Sequence, residues 1–133
     1  MTERFARKDP SKVLIADPEP FIRDTLKIKL MSKGYDVVSV DSGRDLVRVS
    51  GREHPDLILT DIKFKDLDVY RALQILKGKA ATKNTPVVIL YREEITPEMQ
   101  FMWSPYVARF VKVPFSPRAV AKTIRDVLAE ATQ

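Results

Sequence analysis

The sequence predicts an α/β domain: a doubly wound, five-stranded parallel sheet with helices on both faces. Three observations carry this expectation. Five short runs are almost wholly apolar and rich in β-branched residues, as in strands buried on both faces. Between them lie segments whose apolar residues recur at helical spacing. The two kinds of segment alternate to the end of the chain with no repeat or linker, which implies crossover connections and a parallel sheet.

Residues 1–11 (MTERFARKDPS) are polar and aperiodic, and read as a flexible arm ahead of a domain spanning residues 12–130. KVLIA, ending at Ala16, is the first strand, and the prolines Pro18 and Pro20 punctuate its exit. Phe21 to Lys33 follows at helical spacing, with Ile22, Leu26 and Leu30, joined by Phe21 and Ile28, as its apolar set, and Gly34 is placed to end it. DVVSV, ending at Val40, is the second strand. Ser42 with Asp45 forms a capping-box pattern opening a short helix through Leu46, Val47 and Val49. His54-Pro55 breaks that helix, and the lone histidine reads as a surface residue. LILT, ending at Thr60, is the third strand. After a loop, Val69 to Lys77 is helical, with Ala72, Leu73 and Leu76 inward. Val87 to Tyr91 is the fourth strand, and Thr96-Pro97-Glu98 opens a short helix to Trp103. Arg109 to Val113 is the fifth strand. Ser116-Pro117 pairs an N-cap with proline at the first helical position, opening a last helix through Val120, Ile124 and Leu128.

Composition excludes several chemistries. A chain of 133 residues suits one domain. It has no cysteine, so thiol nucleophiles, disulfides and Cys-ligated metals are out. Its single histidine, His54, leaves no His-pair metal site and no ordinary Ser-His-Asp arrangement. No Gly-rich phosphate loop or nucleophile–base pair supports a hydrolase or nucleotide-binding reading. The formal charge of +5 is mild, and Asp and Glu are interspersed among the Lys and Arg, which reads as a solvated surface rather than a nucleic-acid footprint. The apolar runs fall far below the roughly 20 residues of a membrane span, and residues 1–10 lack the apolar core of a signal peptide, so the expectation is a cytoplasmic protein with no membrane contact.

Sites in parallel sheets of this kind form beyond the carboxyl ends of the strands. Two acids close apolar strands there: Asp17 after the first and Asp61 after the third. An Asp between strand and helix commonly caps the helix, and Asp41 reads that way or as a surface residue. With the first and third strands adjacent, however, Asp17 and Asp61 converge. A converging pair repels itself and is relieved by a cation or a shared proton, and hard oxygen ligands suit Mg²⁺.

Four fragments, in order and over nearly the whole chain, resemble the receiver domains of bacterial response regulators. They are VLIADPEPFIR from Val13; PDLILTD ending at Asp61, with Asp68 beyond it; TPVVIL from Thr85; and PFSP from Pro114. The resemblance implies a CheY-like, flavodoxin-like fold with strand order 2-1-3-4-5. It also implies a phosphoacceptor carboxylate, here Asp61, which takes a phosphoryl group from a histidine kinase with Mg²⁺ neutralising the transferring oxygens. The Val113–Pro114 peptide bond is cis in the family.

The sequence departs from the family at most of the remaining site positions. The second acid after the first strand is Pro18, which cannot ligate a metal. Lys63 and Lys65 follow the acceptor where the family has varied, often uncharged residues and then Pro, and Val69 stands where Gly is usual. Tyr91 replaces the Ser or Thr of the switch and Arg92 the small residue after it. Phe110 matches the switching aromatic. The family lysine falls on Val113, because Lys112 is one residue early and a one-residue shift in a strand changes face. These departures tilt the reading to an atypical, stand-alone receiver-like module: a pseudo-receiver that acts by protein–protein contact, is not an enzyme, and keeps only a weakened Mg²⁺ site at Asp17 and Asp61. Lys63 or Arg92 is then a candidate built-in cation beside the acid pair. The alternative is a phospho-accepting receiver with Asp61 as acceptor and Mg²⁺-dependent transfer from a histidine kinase. The expected docking surface for a kinase or other signalling partner lies between Thr96 and Ala129. Phe101, Met102 and Trp103 supply either a patch on that surface or part of the core.

Overall fold

Strand and helix alternate five times in the computed structural model, which describes residues 10–113 and 115–131. The elements are β1 (Lys12–Ala16), α1 (Pro20–Ser32), β2 (Asp36–Val40), α2 (Gly43–Glu53), β3 (Leu57–Asp61), α3 (Val69–Lys77), β4 (Val87–Tyr91), α4 (Pro97–Trp103), β5 (Arg109–Lys112) and α5 (Pro117–Ala131). The strands pair in parallel in the order β2-β1-β3-β4-β5, the predicted doubly wound sheet.

The apolar runs explain the two layers. Successive strand side chains point to opposite faces. Val13, Ile15, Leu57, Leu59, Val88 and Leu90 therefore pack under α1 and α5. Leu14, Ala16, Ile58 and Ile89 pack under α2, α3 and Trp103 of α4. A strand that must fill both layers has no polar position to spare, which is why β3 is buried along its whole length.

Local chemistry sets the helix ends. The Ser42 hydroxyl accepts from the Asp45 N–H at 3.1 Å, and the Thr96 hydroxyl accepts from the Met99 N–H at 3.1 Å. The Ser116 hydroxyl accepts from the Ala119 N–H at 3.3 Å. Gly34 leaves α1 at a φ of 91°, where an L side chain would be strained. His54 ends α2 in the left-handed region with its side chain exposed, as the His54-Pro55 break implied.

Two expectations are corrected and one open alternative is resolved. Ser11, assigned to the arm, is buried, and its carbonyl accepts from the Asp36 N–H at 3.0 Å, so the packed domain begins at least one residue earlier. Phe21 and Ile28 do not join the inward stripe of α1: they are 75% and 70% exposed, while Leu26 and Leu30 are buried. In α4, Trp103 turns inward with half-buried Met99, and Phe101 and Met102 face outward, so of the three residues left open between patch and core only Trp103 joins the core. The remaining arm residues, 1–9, and the Val113–Pro114 bond lie outside the described residues. Among the described residues no helix is long and apolar enough to cross a membrane.

Candidate functional site

The sheet order puts β1 beside β3, with Ala16 opposite Thr60, so the residues that follow them, Asp17 and Asp61, lie side by side at the carboxyl ends of the strands. Both are buried. Asp17 Oδ1 accepts from the Glu19 N–H at 2.8 Å. Arg23 reaches back from α1 to donate to the Asp17 carbonyl at 2.7 Å, which fixes the turn that carries the carboxylate.

Arg92, just past β4, completes the site. Its guanidinium lies 3.0 Å from Asp61 Oδ1 and 3.7 Å from Asp17 Oδ1, so one cation spans both acids. The contact with Asp61 is an ion pair. Asp61 Oδ1 is buried against Arg92, and Asp17 Oδ2 is buried without a hydrogen-bond partner. Burial pushes the Asp17 carboxyl up to about 6, and the Asp61 charge adds to it, against the pull of the Glu19 N–H, Arg92 and Arg23. Burial also raises Asp61, opposed by the Ile62 N–H and by Arg92.

Of the two candidate cations, only Arg92 lies on the pair. Lys63 is exposed and its ammonium pairs with Glu93, so a built-in cation at Lys63 is not what the fold presents. The physical reason is reach: a flexible, strongly hydrated lysine finds an exposed carboxylate at the rim, whereas a planar guanidinium suits two carboxylates at once.

The switch-position residues also come together. Tyr91 meets Phe110 edge to face, with ring centroids 6.5 Å apart. Phe110 stacks on Trp103 at 6.4 Å, and Trp103 on Tyr70 at 6.4 Å, so an aromatic row joins the end of β4 to α3 and α4. Val113 is half-buried in the layer under α1 and α5. Lys112 faces out and pairs with Glu94, so neither residue brings a cation to the acids.

One anchoring residue escaped the sequence reading. The Asp66 carboxylate accepts from the N–H groups of Gly43 and Arg44, at 2.9 and 3.0 Å, tying the loop after Asp61 to the start of α2. These amide bonds, the one from Arg44 foremost, hold its carboxyl below the usual range. Gly43 permits the contact, since a Cβ there would sit 2.9 Å from the Leu67 backbone oxygen. Ser42-Gly43 signals a helix start with open N–H groups, but nothing local signals which distant acid fills them. Asp66→Ala is expected to lower stability by about 1 kcal/mol in urea unfolding, the usual worth of a cap. An unchanged midpoint would show that water replaces the carboxylate without cost.

Above the acid pair opens a cleft of about 900 Å³, whose lining includes Pro18, Asp41, Phe64, Lys65 and Asp68. In donor type Asp17 and Asp61 fit a hard divalent cation, and Mg²⁺ is commonly held by one or two carboxylates. In number they are the minimum. Pro18 adds no ligand, no three acidic or imidazole groups converge among the described residues, and a guanidinium already stands at the carboxylates.

The comparisons with known proteins agree with this geometry. Residues 13–125 match the response regulator receiver domain. A probable transcriptional regulator, ycf27, of Porphyridium aerugineum is 31% identical over 122 residues, covering 88% of this chain and 48% of that protein. The chain thus spans about half the length of such curated relatives. Among solved structures, the chemotaxis response regulator CheY4 of Vibrio cholerae superposes with a TM-score of 0.80 at 24% identity, covering 88% of this chain and 98% of that one. The receiver domain of the sensor histidine kinase PA1611 of Pseudomonas aeruginosa, which holds a magnesium ion in its active-site cleft, superposes with a TM-score of 0.80 at 20% identity, covering 89% and 97%. Fold, paired acids and sequence match converge, and the chain belongs to the response regulator receiver domain family of two-component signalling.

Proposed function

We propose that this receiver domain works as a pseudo-receiver: a protein-contact module, not an enzyme, whose acid pair is neutralised by its own arginine instead of by Mg²⁺ and phosphorylation. The observation that carries the reading is the Arg92 guanidinium lying 3.0 Å from Asp61 and 3.7 Å from Asp17. A cation fixed there screens the repulsion that Mg²⁺ would relieve and stands in the approach to Asp61. It makes Mg²⁺ binding weak, since metal and guanidinium compete for the same oxygens. Two further features support the reading. Pro18 removes a ligand, and Val113 leaves no ammonium to hold an acyl phosphate. The output surface of this reading lies between Thr96 and Ala129, where Phe101 is 80% exposed. The surface cations there are largely paired, Arg109 with Glu130 and Lys122 with Asp126, which favours a protein partner over a polyanion.

The second reading, a phospho-accepting receiver, is favoured by one observation. Asp17 and Asp61 persist as a buried pair of carboxylates, and Asp17 Oδ2 has no hydrogen-bond partner, as a metal-assisted acceptor would need. Intact mass after incubation with Mg²⁺ and a small acyl phosphate separates the two. We expect no mass gain in the wild type or in Asp61→Asn. One phosphoryl group gained by the wild type and absent from Asp61→Asn would overturn the pseudo-receiver and leave Asp61 as acceptor.

A further inference from the structure

The two edges of the sheet are built differently. β5 closes one edge with exposed Arg109 and Lys112 at its ends. A strand of four residues with charged side chains discourages pairing with another chain. β2 closes the other edge with Asp36-Val37-Val38-Ser39-Val40, whose middle carries neither charge nor proline. Val37, Val38 and Ser39 are half-buried.

The hydrogen bonds of β2 fix which of its residues face out. The Asp36 N–H donates to the Ser11 carbonyl at 3.0 Å, and the Val40 carbonyl accepts from the Asp17 N–H at 3.1 Å. Along a strand the backbone groups turn alternately to one side and the other. Asp36, Val38 and Val40 therefore spend theirs on β1, and Val37 and Ser39 turn their N–H and carbonyl groups outward. Among the described residues no strand pairs with that side. Along it runs a groove of about 420 Å³, bordered by Val38, Ser39 and Val40, by Arg23 of α1, and by Arg48 and Arg52 of α2.

We propose that the open edge of β2 is a docking surface, and that its occupant is an extended segment of a partner protein, which adds as a sixth strand and sets acidic side chains among Arg23, Arg48 and Arg52. Main-chain bonds supply affinity in such strand addition, and alternate side chains supply specificity. Charge selects the occupant. Of the acids beside the groove, Asp45 is held by Arg48 at 2.9 Å, and Glu53 by Lys12 at 3.1 Å, with Arg52 at 3.5 Å. Lys27 follows Arg23 by one turn of α1, on the same side. Asp36 and Asp41 stand exposed at the two ends of the strand. The edge is thus cationic in its middle and acidic at its ends. A second copy sharing this edge under two-fold symmetry would run antiparallel about Val38, with Val37 opposite the copy's Ser39. That arrangement sets Asp36 beside the copy's Asp41 and Arg48 against the copy's Arg48, so like charges disfavour it. An extended segment with an acidic centre meets neither repulsion. The proposal does not depend on whether Asp61 accepts a phosphoryl group.

The test is selection of random displayed peptides of about 10 residues, the upper length of a common strand, on the immobilised full chain. Counter-selection uses Ser39→Pro. Proline is tolerated on an edge strand where its nitrogen faces away from the sheet, so this variant loses an outward donor and keeps the ladder to β1. Survivors should carry Asp or Glu at their centre among β-branched residues. A synthetic survivor should bind Ser39→Pro at least about tenfold more weakly. It should also bind Arg48→Glu/Arg52→Glu more weakly, and lose affinity several-fold between about 50 and about 500 mM salt. N-methylation of alternate peptide residues should abolish binding in one register and spare it in the other, because only one set of amides faces β2. The emission of buried Trp103 reports folding, and should Ser39→Pro lose it, the methylated peptides decide. No surviving peptide, survivors without a central acid, survivors indifferent to a folded Ser39→Pro, or equal effects of the two methylation registers would overturn the proposal. So would a dimer of the chain, seen by sedimentation and abolished by Ser39→Pro, which would make a second copy the occupant.

Discussion

Asp17→Asn is expected to stabilise this protein near neutral pH, although it removes a charge from an ion-paired site. Asp17 is fully buried, and burial holds its carboxyl at about 6 in the folded chain, against an ordinary value near 4 once unfolded. A carboxyl whose folded value is raised binds its proton more tightly in the native state. Its contribution to stability is therefore complete below about pH 4 and is lost as pH rises through about 6. The loss over that window amounts to about 3 kcal/mol, and Asp61, raised by the same cause, adds in the same direction. Asparagine keeps an oxygen to accept the Glu19 N–H and carries no charge. In urea unfolding with chelator present, the wild type should lose stability from pH 4 to pH 7. Asp17→Asn should lose much less, and should exceed the wild type by about 3 kcal/mol at pH 7.5. A variant less stable than the wild type at pH 7.5 would mean that attraction to Arg92 outweighs the cost of burial.

The exposed partners behave in the opposite sense. Asp66 is held low by the Arg44 and Gly43 N–H groups, and Asp126 by Lys122. A carboxyl with a lowered folded value contributes stability above its unfolded value and loses it as pH falls. The acid limb of the profile therefore belongs to rim contacts such as Asp66, and the limb between about pH 4 and 6 to Asp17.

The sequence made some of this legible and hid the rest for identifiable reasons. The alternation of all-apolar runs with helical segments forecast a parallel sheet covered on both faces, while the strand order came only from the family resemblance. Local chemistry forecast the caps at Ser42, Thr96 and Ser116, because a cap is decided within one helical turn. Helical spacing forecast which residues of α1 share a face, but it grouped Phe21 and Ile28 with the core. Apolar character alone does not say which of two apolar sides faces inward. The Asp66 anchor joins positions distant in the chain and left no local trace. Arg92 and Lys63 looked alike as candidate cations. What separates them is that Arg92 follows the strand next to Asp61, whereas Lys63 sits on a loop facing Glu93.

In Arg92→Ala, Mg²⁺ is expected to become a stabiliser of a domain that otherwise ignores it. Removing the guanidinium leaves two buried carboxylates facing each other with no counter-ion. Breaking such a pair from one side is costly because the remaining charge stays buried. Arg92 itself is 38% exposed, so solvent screens part of its attraction, and a loss of about 1–2 kcal/mol at pH 7.5 is the expected size. The same loss empties the position where a divalent cation would reach the oxygens of Asp17 and Asp61. If Mg²⁺ then binds with a dissociation constant of about 1 mM, about 10 mM returns about 1.4 kcal/mol, most of what the mutation removed. The wild type should gain far less over the same range, since the metal must first displace the arginine. Urea midpoints of both proteins, titrated with Mg²⁺ and with NaCl at matched ionic strength, measure the difference. Equal Mg²⁺ responses in the two would show that Arg92 does not compete for the site. Arg92→Lys tests the geometry: a single ammonium cannot span two carboxylates as a planar guanidinium does, so its Mg²⁺ response should fall between those of alanine and arginine.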